Sequence, residues 1–164
     1  MMPIIVSTLT WLAVVGCGLV AGVFFAFSSF VMAALTRLAP AQGVAAMQSI
    51  NVAVINVSFM GLLFGTAGLC VVLAAASVIG FGRPGAGWAI AGCLCYLVGT
   101  IGVTIVFHVP RNDALALLDP LTPQTADAWS TYVRAWTLGN HVRTAAAIVA
   151  MGLLILSACL PRHG

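Results

Sequence analysis

The chain has no lysine and no glutamate, and its only carboxylates are Asp113, Asp119 and Asp127. Charged residues make up 5% of the 164 residues and hydrophobic ones 62%. A soluble domain carries about 25% charged residues, so this sequence cannot clothe a globule in water. No polybasic cluster is present, because the net charge of +3 is spread over scattered arginines. That pattern gives no footprint for nucleic acid. No Cys-x-x-Cys pair occurs among Cys17, Cys70, Cys93, Cys95 and Cys159, all of which sit in apolar sequence. Cys93 and Cys95, two residues apart, fall on opposite sides of a helix, so the thiols read as small packing groups rather than metal ligands or disulfides. The Ser-His-Asp order, the phosphate loop and the dinucleotide fingerprint are also missing, which sets aside hydrolase and nucleotide functions. The first segment lacks the basic start of a signal peptide and its apolar run is too long for one, so it reads as a retained span.

What is present is four uncharged stretches, 1–36, 38–82, 84–109 and 144–161. Each is on the scale of the about 20 apolar residues that cross a hydrocarbon core. They are continuously apolar rather than alternating, which argues against a barrel, and a backbone in lipid must satisfy its own hydrogen bonds. The sequence therefore predicts an all-α, transmembrane four-helix bundle running up-down-up-down with both termini on one side. It forms one domain over 1–164, with spans at about 4–35, 52–80, 88–109 and 141–160. A multi-pass protein of the cell membrane follows, with membrane lipid as a partner and a homo-oligomer left open.

Several local signals refine this. Gly18 and Gly22, and again Gly61 and Gly65, have the spacing of close helix packing. Gly80 to Gly85 is a turn, and Pro110 stops the third helix. Thr122-Pro123 reads as an N-cap followed by proline at the first helical position. A helix from Pro123 to Leu160 would be about 57 Å long at 1.5 Å per residue, so its first half projects, lies at the interface or bends, and Gly139 is the place for a bend. Pro40 opens a helix through Gln48, Asn51 and Asn56 toward the second span, which hints at two related helical hairpins.

An up-and-down bundle gathers the polar residues at one end. Phe27 and Ser28 close the first helix. Gln48, Asn51 and Asn56 precede the second, while His108 and Asn112 end the third. Trp129, Tyr132, Trp136, Asn140 and Arg143 open the fourth at intervals of three, four, four and three, which is one helical face. Trp and Tyr at a boundary are ordinary interfacial anchors. Anchoring does not explain an amide and a guanidinium on the same stripe, since polar groups at that depth face a bundle interior or cavity. His108 and His141 are open to three roles: acid/base, metal or haem ligand, or hydrogen-bonded packing. Asp113 is the one carboxylate near both, as an orienting partner or merely a solvated loop residue.

These residues carry a resemblance. Gly22-Val-Phe-Phe-Ala-Phe-Ser28, Met47-Gln-Ser-Ile-Asn51, Asn56-x-x-Phe59, Pro110-Arg-Asn112-Asp113 and the run from Trp129 to Thr144 resemble the anthrone oxygenase-like family of small four-helix membrane proteins, largely a domain of unknown function. The last run is the most specific. The resemblance implies an oxidoreductase that uses dioxygen, without a dedicated cofactor, on a flat hydrophobic aromatic such as an anthrone. On that basis His108 or His141 is the expected base, with Arg143, Asn140 and Asn112 as oxyanion partners. Trp129, Tyr132 and Trp136 form the slot, lined further by Gln48, Asn51, Asn56 and Phe27. No metal or other cofactor is expected. Two alternatives stand beside the enzyme: a non-catalytic module binding a lipid, quinone or partner helix, and a haem or copper carrier through His108 and His141.

Overall fold

With no bulk water to compete and no charge to solvate, the apolar stretches close their backbone hydrogen bonds as helices. The computed structural model describes residues 2–80, 84–122 and 124–160. It contains α1 (Ile4–Leu35), a short α2 (Pro40–Ala53), α3 (Val57–Ile79), α4 (Ala86–Ala116) and α5 (Thr125–Cys159), and no strand among the described residues. All but α2 are long and apolar enough to cross a membrane. Large apolar side chains such as Phe25, Phe30, Val78, Val106 and Leu138 stay exposed on the outside. In water they would be a liability, whereas a bilayer solvates them.

The long helices pack as an antiparallel ring. On α1, Gly16 meets Thr66 of α3, and the Phe24 ring lies edge-on to Phe59. The Tyr96 hydroxyl of α4 donates to Leu63 O of α3 at 3.0 Å. Gly92 and Gly99 of α4 approach Leu154 and Ala146 of α5, and Asn140 of α5 reaches back to Phe24. Two cores result. One runs along the bundle through Cys17, Val20, Leu73, Cys93, Tyr96, Ala150 and Leu154. The other closes the polar end, where Val44 and Met47 of α2 lie against Leu115, Trp129, Tyr132 and Trp136. Both buried and small, Cys17, Cys70 and Cys93 act as packing groups.

Three expectations need correction. Pro110 does not stop the third span, because α4 turns into a wide π-helical turn at Thr104–His108 just before it. Pro110 then occupies the first positions of the closing α-segment Val109–Ala116, where its missing N–H is no loss. The Arg111 guanidinium takes up the Phe107 carbonyl at 2.7 Å. The start of the last helix is Thr125 rather than Pro123, which lies outside the described residues, while Thr122 bonds to the Asp119 carbonyl and to Thr125. The helix α5 runs through Gly139 without a break. Finally, of the four expected packing glycines only Gly18 meets a neighbouring helix, at Met151; an added Cβ on Gly22, Gly61 or Gly65 would meet open space. The close approaches fall at Gly16, Gly85, Gly92, Gly99 and Gly139 instead.

The two halves also differ. The stretch from Trp129 to Arg143 is continuous with the last span, but α2 separates from α3 at Val54 to Asn56. Asn56 is the cause: extended at φ −129°, it accepts the Phe59 N–H on its side chain at 2.9 Å and so caps α3. A cap is worth about 1 kcal/mol. Asn56→Ala is expected to lower the thermal unfolding midpoint in detergent by the few degrees such a loss implies, and an unchanged midpoint would show the cap to be idle. At the far end Gly85 makes the turn into α4 at φ +86°, with Ser157 O 2.8 Å from where a Cβ would stand.

Candidate functional site

The stripe on α5 turns inward at the polar end, and its lower half is an interlocked polar chain. Arg143 is 5% exposed. Its Nη2 donates to Asn140 Oδ1 at 2.7 Å and its Nη1 to Thr104 Oγ1 of α4 at 3.3 Å. The guanidinium carbon stands 4.1 Å from the centre of the Phe24 ring and 5.2 Å from that of Trp136, a cation between two π faces. Its Nε is buried without a partner, and among the described residues no carboxylate pairs with it. An arginine is always charged, and burying an unpaired charge is costly.

Asn140, fully buried, passes the chain on to α1. Its Nδ2 donates to Phe24 O and to Ser28 Oγ, each at 2.7 Å. Ser28 lies in a π-helical turn, Phe27–Val31, of the kind often found at functional sites. Beyond Ser28 a groove of about 440 Å³ opens between the end of α1 and α5, lined by Ser28, Met32 and Thr36 on one side and by Arg134, Thr137 and His141 on the other. The groove is an open depression rather than an enclosed cavity. Arg134 and His141 are exposed, and the Thr137 hydroxyl is buried without a partner.

The upper half of the stripe is filled by protein. Trp129 and Tyr132 stack at 5.8 Å, with Gly43 of α2 against the Trp129 ring. Asn112 Oδ1 accepts both the Tyr132 hydroxyl at 2.9 Å and Trp136 Nε1 at 3.1 Å. The Trp136 ring sits between Phe27, 5.6 Å away, and His108, 5.2 Å away. Gln48 Nε2 ties α2 to the Leu115 and Leu118 carbonyls at 2.9 and 3.0 Å. Asn51 reaches the Tyr132 hydroxyl region with its Nδ2 buried and unpartnered. Asn56 lies apart, exposed at the α3 cap.

The two histidines take different sides of α5. His108 is buried on the α4 side, with Nδ1 3.3 Å from Val103 O and Nε2 3.2 Å from Trp136 O. Both nitrogens face carbonyl oxygens, which only accept, so a neutral imidazole donates to one of them and the other nitrogen stays without a donor. His141 faces the α1 groove. Asp113 is exposed and joins neither. The structure thus unites Arg143, Asn140, Trp136, Phe27, His108 and Asn112 in one cluster, and brings His141 beside it at the groove. Sequence reasoning did not select Thr104 or Thr137, and it placed Phe24 and Ser28 at the polar end without giving either a role. The available signal was the four-residue step from Phe24 to Ser28, which faces one neighbour.

These features define a membrane-embedded helical bundle with a buried cation at one end, wired to a groove on its flank. A family model described as anthrone oxygenase matches residues 56–153, more than half of the chain, and the protein belongs to that family. The match covers α3, α4 and most of α5, including His108 and the stripe to Arg143, but not Ser28 or α2. No curated protein and no solved structure matches the chain.

Proposed function

We propose that the protein is a cofactor-independent oxygenase of the cell membrane, acting on a flat hydrophobic aromatic with an ionisable C–H conjugated to a carbonyl, as in an anthrone. The observation that carries this reading is Arg143, a buried cation with no carboxylate partner among the described residues. Such a charge is costly alone and useful when an anion forms within reach of its field. Membership of the family supports the same chemistry.

In this reading the aromatic enters the groove from the bilayer against Met32, Val133 and Leu138. His141, which makes no hydrogen bond among the described residues, accepts the proton from the acidic carbon. The resulting anion carries its charge on the conjugated oxygen, toward the end of the polar chain that starts at Arg143. One electron passes from this anion to dioxygen, and the two radicals combine to form a carbon–oxygen bond. The peroxide takes the proton back and loses water, so one anthrone and one dioxygen give one quinone and one water. His108, Asn112 and Trp136 act as the brace that holds α4 to α5 behind the site.

The test is oxygen uptake by the purified protein in mild detergent with an anthrone as probe. One dioxygen consumed per quinone formed is expected, with at least a tenfold fall in rate for His141→Gln. Binding of the anthrone with no uptake above the protein-free rate would replace the enzyme by a non-catalytic binding module.

A further inference from the structure

The proton positions in the chain from Arg143 to the groove are fixed by chemistry. Arginine only donates, so Asn140 must present its oxygen to Nη2. The Phe24 carbonyl only accepts, so the other end of the amide is the NH₂ group, and that group also faces Ser28 Oγ at 2.7 Å. Ser28 is therefore an acceptor toward Asn140, and its own hydrogen points elsewhere. The usual outlet for a helical serine, the carbonyl four residues back, is Phe24 O; it accepts from Asn140, and the Ser28 hydroxyl bonds to Asn140 and Thr144 instead. Thr144 spends its own hydrogen on the Asn140 carbonyl at 2.8 Å, so its oxygen can accept the Ser28 hydrogen, but only over a long 3.4 Å. A group in the groove that Ser28 lines would be a shorter and stronger partner for that hydrogen.

We infer that the Ser28 hydroxyl is the donor that meets the ligand's oxygen in the α1–α5 groove, and that Arg143 and Asn140 are positioning residues acting on the ligand through it. The guanidinium polarises the Asn140 amide, and the amide polarises the hydroxyl, each bond strengthening the next in a water-poor interior. This explains how a cation sealed in protein serves a site it does not touch. The ligand class follows: an apolar aromatic with an oxygen that bears negative charge, rather than a cationic or purely hydrocarbon guest. The inference rests on the oxygenase reading only for the identity of the natural ligand.

The experiment uses the full chain in mild detergent with 2-naphthol as probe, its anion being visible by absorbance, and naphthalene as the control without oxygen. Bound 2-naphthol is expected to ionise at lower pH than in the same detergent without protein. Ser28→Ala should weaken binding of the anion by about tenfold and leave naphthalene binding unchanged, which also reports the fold. Asn140→Asp keeps a partner for Arg143 but accepts the Ser28 hydrogen, turning it inward, and should have the same effect. The double variant should be no worse than either single one, since all act in one chain. Naphtholate binding by Ser28→Ala equal to that of the unaltered protein would overturn the inference, as would a failure of the unaltered protein to bind the probe. Absent oxygen uptake with Ser28-dependent naphtholate binding would sink the enzyme reading alone, and uptake insensitive to Ser28→Ala would sink this inference alone.

Discussion

Arg143→Ala is expected to lower anthrone turnover by at least about 100-fold while the protein still folds and remains in the membrane. The activity loss follows from electrostatics. A single preorganised donor to a developing oxyanion is worth about 10²–10³ in rate, and here the charge that polarises that donor is removed altogether. Folding should survive because the substitution does not strand a charge. What remains behind is Asn140 Oδ1 and Thr104 Oγ1 without one donor each, at about 1–3 kcal/mol for a buried unsatisfied group. Against that stands the relief of desolvating a guanidinium that no carboxylate compensates. Arg143→Lys separates charge from geometry: the ammonium keeps the cation but lacks the planar fork that spans Asn140 and Thr104 at once. Its rate should fall between the other two. Oxygen uptake per folded protein, with folded protein counted by size exclusion in detergent, checks the series. Turnover unchanged in Arg143→Ala would remove the guanidinium from the chemistry.

The bundle was legible because the solvent problem is written in composition. A chain with 5% charged residues leaves few structures open, and the long apolar runs are read directly as spans. The errors arose where one helix meets another. Pro110 reads as a stop in one dimension, but the π-helical turn before it supplies the slack that lets α4 continue. The GxxxG glycines were chosen by spacing, which cannot say whether a face meets protein or lipid; Gly61 and Gly65 look outward, and the tight contact is at Gly99 and Gly139.

The candidate site divides the same way. The alignment of Trp136, Asn140 and Arg143 was visible because it is a property of one helix. That Asn140 would fall beside Ser28, 112 positions away in sequence, depends on the register of α1 against α5. No periodicity reports such a register. The histidines show the same limit on a finer scale. His141 is one residue from Asn140, about 100° round the helix, and this step carries it from the buried chain to the groove.

Gly139→Val should cost at least about 2 kcal/mol and dislodge the brace behind the site. A Cβ at this position would stand 2.5 Å from Phe107 Cε1, 2.6 Å from Cδ1 and 2.8 Å from His108 Cε1. Flexible neighbours would yield, but these rings cannot. The Arg111 guanidinium lies on Phe107 at 3.4 Å and is itself bonded to the Phe107 carbonyl, and the His108 ring is held between the Val103 and Trp136 carbonyls. Relief therefore requires α4 and α5 to separate, with overpacking of about 1–3 kcal/mol and a β-branched side chain to place besides. Separation would draw the Trp136 carbonyl away from His108 and the Trp136 ring away from its edge-on contact, so tryptophan fluorescence should shift together with the unfolding midpoint. Gly61→Val is the matched control, since the same volume added there meets nothing within 4 Å and projects toward lipid. Its expected change is within about 0.5 kcal/mol. Equal destabilisation by the two substitutions would mean that Gly139 does not mark the close approach of α4 and α5, and that His108 is not held by that contact.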